Sequence, residues 1–567
     1  MLSRLRRRDV GPPPDMKNVN FTREHVSVSK TIARRKRVLG LVWDKIPLMR
    51  FLLATIGVLW LFALPLERLW KGNYVDEHAL QPAQVNTKFD WDNVHKADLY
   101  LGDLERSVNS TFEERTAYLQ NTFSASGLDT ANTTKSTWAH VKPPRSKGTE
   151  SILVSSNWVS RDGTPNLRGV ATLLAMSDFL RGQNHWAFDI ILVVGEGYME
   201  GLEDFMRNYH SLFTGVIWNG LNIDYPGHSF SHIGLFYEGI NGRLPNQDVI
   251  NAVQRTSHFS GGVPTRFHNI PDDVPDIGPE WFGKYLLGAK HLLHHFGYMI
   301  TGRVSAGHGV LARHRIDSLT MYCTPATGPH GFHSLGKSVE ATLRSFNNLL
   351  ERLHASYFFY LLPRPWNFIP VGQYLPSAVL LGASLTIGGF DCPNPLQGLI
   401  YILPGFLVSL VAWISNLHPV MLMAIPVIQM QYFNPKDKIG NESGGENGRR
   451  NAHGDRRSAK SLILLLYGAL IPTLAMLNFP QAIFLALLSI AYLTLPEIPG
   501  LVVLALTQPG LLLLVLRSQV WNDLDLQKDW VEFGNLTWPI GVYAIWIPLW
   551  INSVVLLQKQ KSSASKI

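Results

Sequence analysis

Twenty residues from Pro47 to Leu66, PLMRFLLATIGVLWLFALPL, carry one charge, Arg50. A stretch of about 20 apolar residues matches the hydrocarbon thickness of a bilayer. Inside lipid no water satisfies the peptide groups, so such a segment must be helical. Ahead of it, Met1 to Lys45 holds twelve Lys or Arg against four Asp or Glu. The basic flank stays on the cytosolic side, and the chain that follows is translocated. A cleaved leader has a shorter basic region and a shorter apolar core. Residues 1–46 therefore read as a cytosolic basic tail and 47–66 as an uncleaved anchor.

A second apolar block fills the carboxyl-terminal third. Spans are expected near 367–390, 396–416, 418–433, 460–478, 480–497, 499–517 and 536–557, which with the anchor makes about eight transmembrane helices. Loop charge supports that count. The 434–460 loop carries seven basic against four acidic residues and reads as a flexible cytosolic linker. The 518–535 segment carries Asp523, Asp525, Asp529 and Glu532 against one Lys and reads as luminal. The 558–567 tail, with three Lys, returns to the cytosol. The net charge of +8 follows these flanks, so it marks topology rather than nucleic-acid binding. Cys323 and Cys392 fall on opposite membrane faces, so no intrachain disulfide is expected.

Residues 67–366 lie between the anchor and the seven-span block and contain no spanning segment. Only 17% of the whole chain is charged, against roughly 25% in soluble domains, which fits a folded luminal part joined to a membrane part. ESILVSS (150–156), FDIILVV (188–194), GVIWNGL (215–221) and HIGLFYE (232–238) read as strands, separated by helical stretches such as 169–182. That alternation predicts an α/β luminal domain with a mostly parallel sheet and helices on both faces. The sequons at Asn109 and Asn132 lie in this domain and are expected to be glycosylated. Asn441 is expected bare on the cytosolic side, and Asn535 lies too close to the membrane.

The order strand, SRDGTPNLRG loop, helix, strand ending GEG, helix, strand ending in Asp224 resembles a zinc aminopeptidase-like fold. Such folds place metal ligands at the carboxyl ends of neighbouring parallel strands. Most of the ligands are missing here. Asn157, Trp158 and Val159 stand where the family has His-x-Asp. The bridging Asp falls near Pro165 and Asn166. Glu196 is followed by Gly197 rather than by a second Glu. Asp224 fits an acidic ligand, and His330 or His333 stands near the last His. Asn157, Glu196 and Asp224 are thus vestigial metal-site positions, with no metal and no cofactor expected. His291 and His295, one helical turn apart, read as a polar helix face rather than a metal pair.

Three further runs carry a family resemblance. RGQNHWAFDI holds Arg181, Gly182, Gln183, Trp186 and Asp189. YEGINGRLPNQDVIN holds Glu238, Gly239, Asn241, Gly242, Pro245, Asn246 and Asp248. LLERLHASYFFYLLPRP leads into the membrane block. With one anchor, a peptidase-like domain and seven further spans, the chain resembles the Gaa-type subunit of the glycosylphosphatidylinositol (GPI) transamidase. That resemblance implies a non-catalytic subunit in the endoplasmic reticulum membrane that helps bind and present the GPI lipid and scaffolds the complex. It implies other transamidase subunits as partners, among them a caspase-like cysteine protease carrying the nucleophile, and a proprotein whose carboxyl end receives the GPI. It places GPI recognition in the last span, where Pro548 best matches the family's proline and Asn552 and Trp546 are the neighbouring candidates. From the residues alone, Trp538, Trp546 and Trp550 fit headgroup anchoring, an acyl groove or ordinary packing. Gly239, Gly242 and Pro245 are expected to set a turn, with Asn241 and Asn246 bonding backbone, and Trp186 is expected in the core. The competing readings are a membrane-tethered luminal metallopeptidase, a metal-assisted amide-forming enzyme using Glu196 and Asp224, and a lipid carrier or transporter. Against the last, the spans hold few ionisable residues.

Overall fold

The computed structural model of the chain describes residues 44–81, 86–353, 359–390, 392–415, 446–519, 530–531 and 534–557. Its centre is an eight-stranded sheet. In chain order the strands are β1 (Asp129–Asn132), β2 (Ser136–Val141), β3 (Glu150–Asn157), β4 (Asp189–Gly195), β5 (Val216–Asp224), β6 (Phe230–Phe236), β7 (Thr265–Phe267) and β8 (Asp317–Pro325). Their spatial order is β1-β2-β4-β3-β5-β8-β6-β7. All four expected strands are present. The sheet is mixed rather than mostly parallel. The inner strands β4, β3, β5 and β8 run parallel. Strands β1, β2 and β6 join antiparallel. The connection from β5 to β6 explains the difference at one end. It is the five-residue segment 225–229, too short for the crossover that a parallel neighbour in the same sheet requires.

Alternation along β3 and β4 shows why both faces are covered. Ile152, Val154, Ile190, Leu192 and Val194 enter one apolar core, and Leu153, Ile191 and Val193 enter another. The first core is closed by α1 (Trp91–Arg106), α2 (Phe112–Ala125), α3 (Leu167–Arg181), α5 (Gln247–Phe259) and α8 (Phe332–Asn347). The second is closed by α4 (Glu200–Leu212) and α7 (His308–Arg313). Trp186 is fully buried in the larger core, as expected. α6 (Glu280–Thr301) lies over the membrane end of the domain.

Five helices are long and apolar enough to cross a membrane: Asp44–Ala63, Val371–Gly389, Pro395–Ile414, Arg456–Leu477 and Thr537–Leu556. Two shorter apolar helices, Phe479–Thr494 and Ile498–Leu513, take the places of the spans expected at 480–497 and 499–517. The second of these breaks before Pro509, which starts a new helix because it cannot continue the old one. The expected 418–433 span and Asn441 lie outside the described residues. Two boundaries differ from the sequence reading. Asn367–Pro370 is a strand, not the start of a span. It pairs with Tyr360–Arg364 and with Lys71–Gly72, tying the exit of the first span to the entry of the second. In the expected linker, residues from Glu446 onward are helical and continuous with the span as Glu446–Leu477. Once a span has nucleated a helix, each added residue costs little to propagate it.

The GING loop joins the two halves. Asn241 has φ 65 and Gly242 φ 71, so the turn expected at Gly239–Pro245 uses two left-handed residues. Asn241 Oδ1 accepts from the backbone N–H of Leu536 at 2.6 Å and of Thr537 at 2.9 Å, at the entry of the last span. Asn246 Oδ1 accepts from the Asp248 N–H and starts α5. Asn478 Nδ2 donates to Met299 O, and Asn535 Nδ2 donates to Thr301 O. Asn535 is buried by that contact. Replacing Asn241 with Ala removes the acceptor and strains the left-handed turn, at a cost of about 1–3 kcal/mol. Asn241→Gly relieves the turn and loses only the acceptor. Thermal unfolding of the full chain in detergent should rank wild type above Asn241→Gly above Asn241→Ala, and hydrogen exchange at Leu536 and Thr537 should accelerate in both variants.

Candidate functional site at the strand ends

The parallel strands bring the three candidate positions to one edge. Asn157 ends β3 and pairs with Gly195, the last residue of β4, which Glu196 follows. Asp224 ends β5 opposite Tyr322 of β8. This is the edge where open α/β sheets place their sites.

Each side chain is engaged locally. Asn157 Nδ2 donates to the Tyr198 carbonyl. Glu196 is paired with Arg115, from α2. Burial pushes the Glu196 carboxyl up, and Arg115 opposes the shift. Asp224 is buried and accepts from the Arg161 backbone N–H at 3.0 Å. Burial pushes its carboxyl up to about 6, against the hydrogen bonds from Ser160 and the Arg161 N–H. Asn166, beside Pro165, is a buried clamp. Its Nδ2 donates to Ser156 Oγ, Asn157 O and Ile223 O, and its Oδ1 accepts from the Tyr225 N–H. It ties β3 to β5 with the amide donor that Asp lacks.

The cation at this edge is the chain's own. The Arg161 guanidinium lies 3.8 Å from the Phe236 ring centroid and 5.9 Å from that of Tyr322. A guanidinium over aromatic faces is held by their quadrupoles. Among the described residues no group of three or more His, Cys, Asp or Glu could hold a metal ion. The donors present do not fit a two-zinc centre, because an amide, an Arg-paired carboxylate and a single carboxylate beside Arg161 replace its ligands.

The histidines singled out in the sequence go elsewhere. His333 stacks on Trp91 with centroids 4.6 Å apart, and His330 lies 3.4 Å from Ser334 Oγ. His291 and His295 are not a solvent-facing polar face, since both are buried against the domain. His295 Nδ1 lies 3.2 Å from Glu238 Oε1, and His268 Nε2 lies 2.6 Å from the same oxygen. Burial alone would raise the Glu238 carboxyl, but these two imidazoles hold it well below the usual range. His308 Nε2 reaches the Glu238 carbonyl at 3.0 Å, and burial lowers its ring to about 4. This cluster and Arg161 escaped the sequence reading. Glu238, His268 and His295 share no spacing, while Arg161 had a usable signal as a charged residue in the loop that follows the strand ending at Asn157. Cys323 is fully buried in β8, and Cys392 is partly exposed.

In the last span, Trp546, Pro548 and Asn552 are buried inside the bundle. Trp538 and Trp550 are buried too, which is the packing alternative rather than headgroup anchoring. Pro548 has no N–H for the preceding turn, and residues Ile540–Trp546 form a π-helix there. Ser409 Oγ donates to the Tyr543 carbonyl, and Tyr467 OH donates to the Ile545 carbonyl at 2.7 Å. Asn552 Nδ2 reaches the Ile402 carbonyl at 3.4 Å.

Comparison with known proteins completes the description. Residues 133–399 match the model of the family described as Gaa1-like, GPI transamidase component. The chain is 28% identical over 390 residues to the GPI transamidase component GAA1 of Saccharomyces cerevisiae, covering 66% of this chain and 62% of that protein. It is also 28% identical over 372 residues to gaa1 of Schizosaccharomyces pombe, covering 60% and 63%. The matches thus span less than two thirds of these relatives. Among solved structures, a glutaminyl cyclase of Fimbriiglobus ruber aligns at 12% identity and TM-score 0.33, over 47% of this chain and 98% of its own. The LapA aminopeptidase of Legionella pneumophila aligns at 9% identity and TM-score 0.32, over 50% and 79%.

Asp224 has a pH signature. In the unfolded chain it loses its proton near 3.8, and in the fold near 6. Between those values the native state binds more protons, so stability falls as pH rises through the window, by about 3 kcal/mol for this carboxyl. Asp224→Asn still accepts the Arg161 N–H and carries no charge. Its unfolding midpoint, followed from pH 4 to pH 7, should lack the decline that wild type shows.

Proposed function

We propose that this chain is a subunit of the GPI transamidase complex, acting without a catalytic centre of its own. The observation that carries this reading is the Gaa1-like match over residues 133–399, shared with the two yeast transamidase components. In this reading the chain sits in the endoplasmic reticulum membrane with about eight spans, the large domain luminal and both termini cytosolic. Its partners are other transamidase subunits, including a caspase-like cysteine protease that supplies the nucleophile, together with the GPI lipid and the proprotein. Asn109 and Asn132 are exposed and open to glycan transfer.

The arrangement at the sheet edge supports the non-catalytic reading. A general acid or base must reach the reacting atoms, and a metal-assisted amide former must hold its metal. Glu196 is held by Arg115, and Asp224 is buried beside Arg161. In the last span, Pro548, Asn552 and Trp546 serve GPI recognition by setting the shape of the helix, since their side chains point into the bundle.

In cells whose own copy of the gene is deleted, Glu196→Gln and Asp224→Asn chains should restore surface display of a GPI-anchored reporter to near the wild-type level. Loss of an acid or base in a working centre would cut the rate by roughly 100-fold or more. A loss of that size in a variant that still assembles would support the enzyme reading and end this one.

A further inference from the structure

We infer that α6 is a membrane-surface helix whose outer apolar stripe lies in the lipid leaflet beside the first span. Phe282, Leu286 and Leu293 recur at helical spacing on one side of α6, and Trp281 stands at its start. Trp281 is 65% exposed and Leu293 is 69% exposed, while Phe282 and Leu286 are half-buried. A helix on a water-facing surface would carry polar groups on this side.

The neighbours of α6 place it at bilayer level. Tyr285 OH donates at 2.9 Å to the carbonyl of Phe62, near the end of the first spanning helix. Gly288 lies so close to Trp70 and the Pro65 carbonyl that a side chain there would collide with both. Farther along, Phe296 packs on Phe479, the first residue of a membrane-block helix, at 5.8 Å between centroids. Leu292 enters the core of the bundle itself. The inner side, with Leu287, His291 and His295, faces the luminal core. α6 therefore runs across the ends of two membrane helices.

The occupant of the outer stripe follows from what it continues. Leu59, Phe62 and Leu66 are exposed along the end of the first span, next to Tyr285. An apolar face at that depth of a spanning helix meets lipid. Trp281 at one end, with exposed Lys290 and His294 beside the stripe, completes the composition of an interfacial amphipathic helix, whose apolar face sinks roughly 5–10 Å into the headgroup and acyl boundary. The inference does not depend on which compartment the domain occupies or on the transamidase reading.

The test uses the full chain in phosphatidylcholine nanodiscs, with an environment-sensitive fluorophore on Leu293→Cys in a Cys392→Ser background. Cys323 is fully buried and stays unlabelled. Trp281→Cys is the second labelling site, and Leu350→Cys, at a position 95% exposed on the domain, is the water-facing control. Lipids carrying doxyl groups near the ester linkage should quench the two α6 labels roughly threefold or more above the control, as interfacial burial requires. Aqueous iodide should quench the control more strongly. Iodide quenching of the α6 labels equal to the control would mean that the face is wet and would overturn the inference. Protection from both quenchers would mean that protein covers the stripe and would also overturn it.

Discussion

One carboxamide sets the register between the α/β domain and the membrane bundle. Asn241 Oδ1 accepts from two backbone N–H groups where the last span begins, and from Thr537 Oγ1 at 3.2 Å. The start of a helix leaves its first amides unpaired, so the acceptor must come from elsewhere. Here it comes from a left-handed turn in the α/β domain. Gln481 Nε2 closes the same junction by donating to the Thr537 carbonyl at 2.8 Å. Gly242 has no room for a side chain because Asn478 and the Met299 carbonyl lie against it. The GING motif is therefore a joint, and Asn241 and Gly242 are fixed by geometry at that joint.

The sheet edge is closed by the chain's own side chains. The strand ends are bridged by Asn166, whose Nδ2 donates to three separate acceptors across β3 and β5. The local positive charge comes from Arg115 beside Glu196 and from Arg161 among aromatic rings near Asp224. A buried carboxylate needs such a partner or a raised pKa, and Asp224 has both neighbouring charge and a strong upward shift. These contacts keep the edge packed.

Much of this was legible in the residues. The anchor, the four expected strands and the turn at Gly239–Pro245 follow from apolar length, short apolar runs and turn chemistry, all local signals. Sheet direction was not local. It depends on which strands become neighbours, and β1, β2 and β6 take antiparallel places that no strand pattern encodes. Helical periodicity places His291 and His295 on one face, but composition alone did not show that the domain buries that face. The burial of Trp546 and Asn552 was not legible for the same reason: in a membrane helix both the lipid side and the bundle side are apolar, so pattern alone cannot tell them apart. Pro548 leaves the preceding turn one amide donor short, and Ser409 Oγ and Tyr467 OH donate to the Tyr543 and Ile545 carbonyls of that turn.

The central claim is that the chain works as one part of a larger transferase. The most direct measurement is affinity purification of the full chain from endoplasmic reticulum membranes in mild detergent, with mass spectrometry of the co-purifying proteins and elemental analysis of the same sample. The account predicts a caspase-like cysteine protease and further multi-span subunits in stoichiometric amounts, with no zinc assigned to this chain. Recovery of the chain alone with bound zinc would contradict it and make the edge with Asn157, Glu196 and Asp224 an active-site candidate.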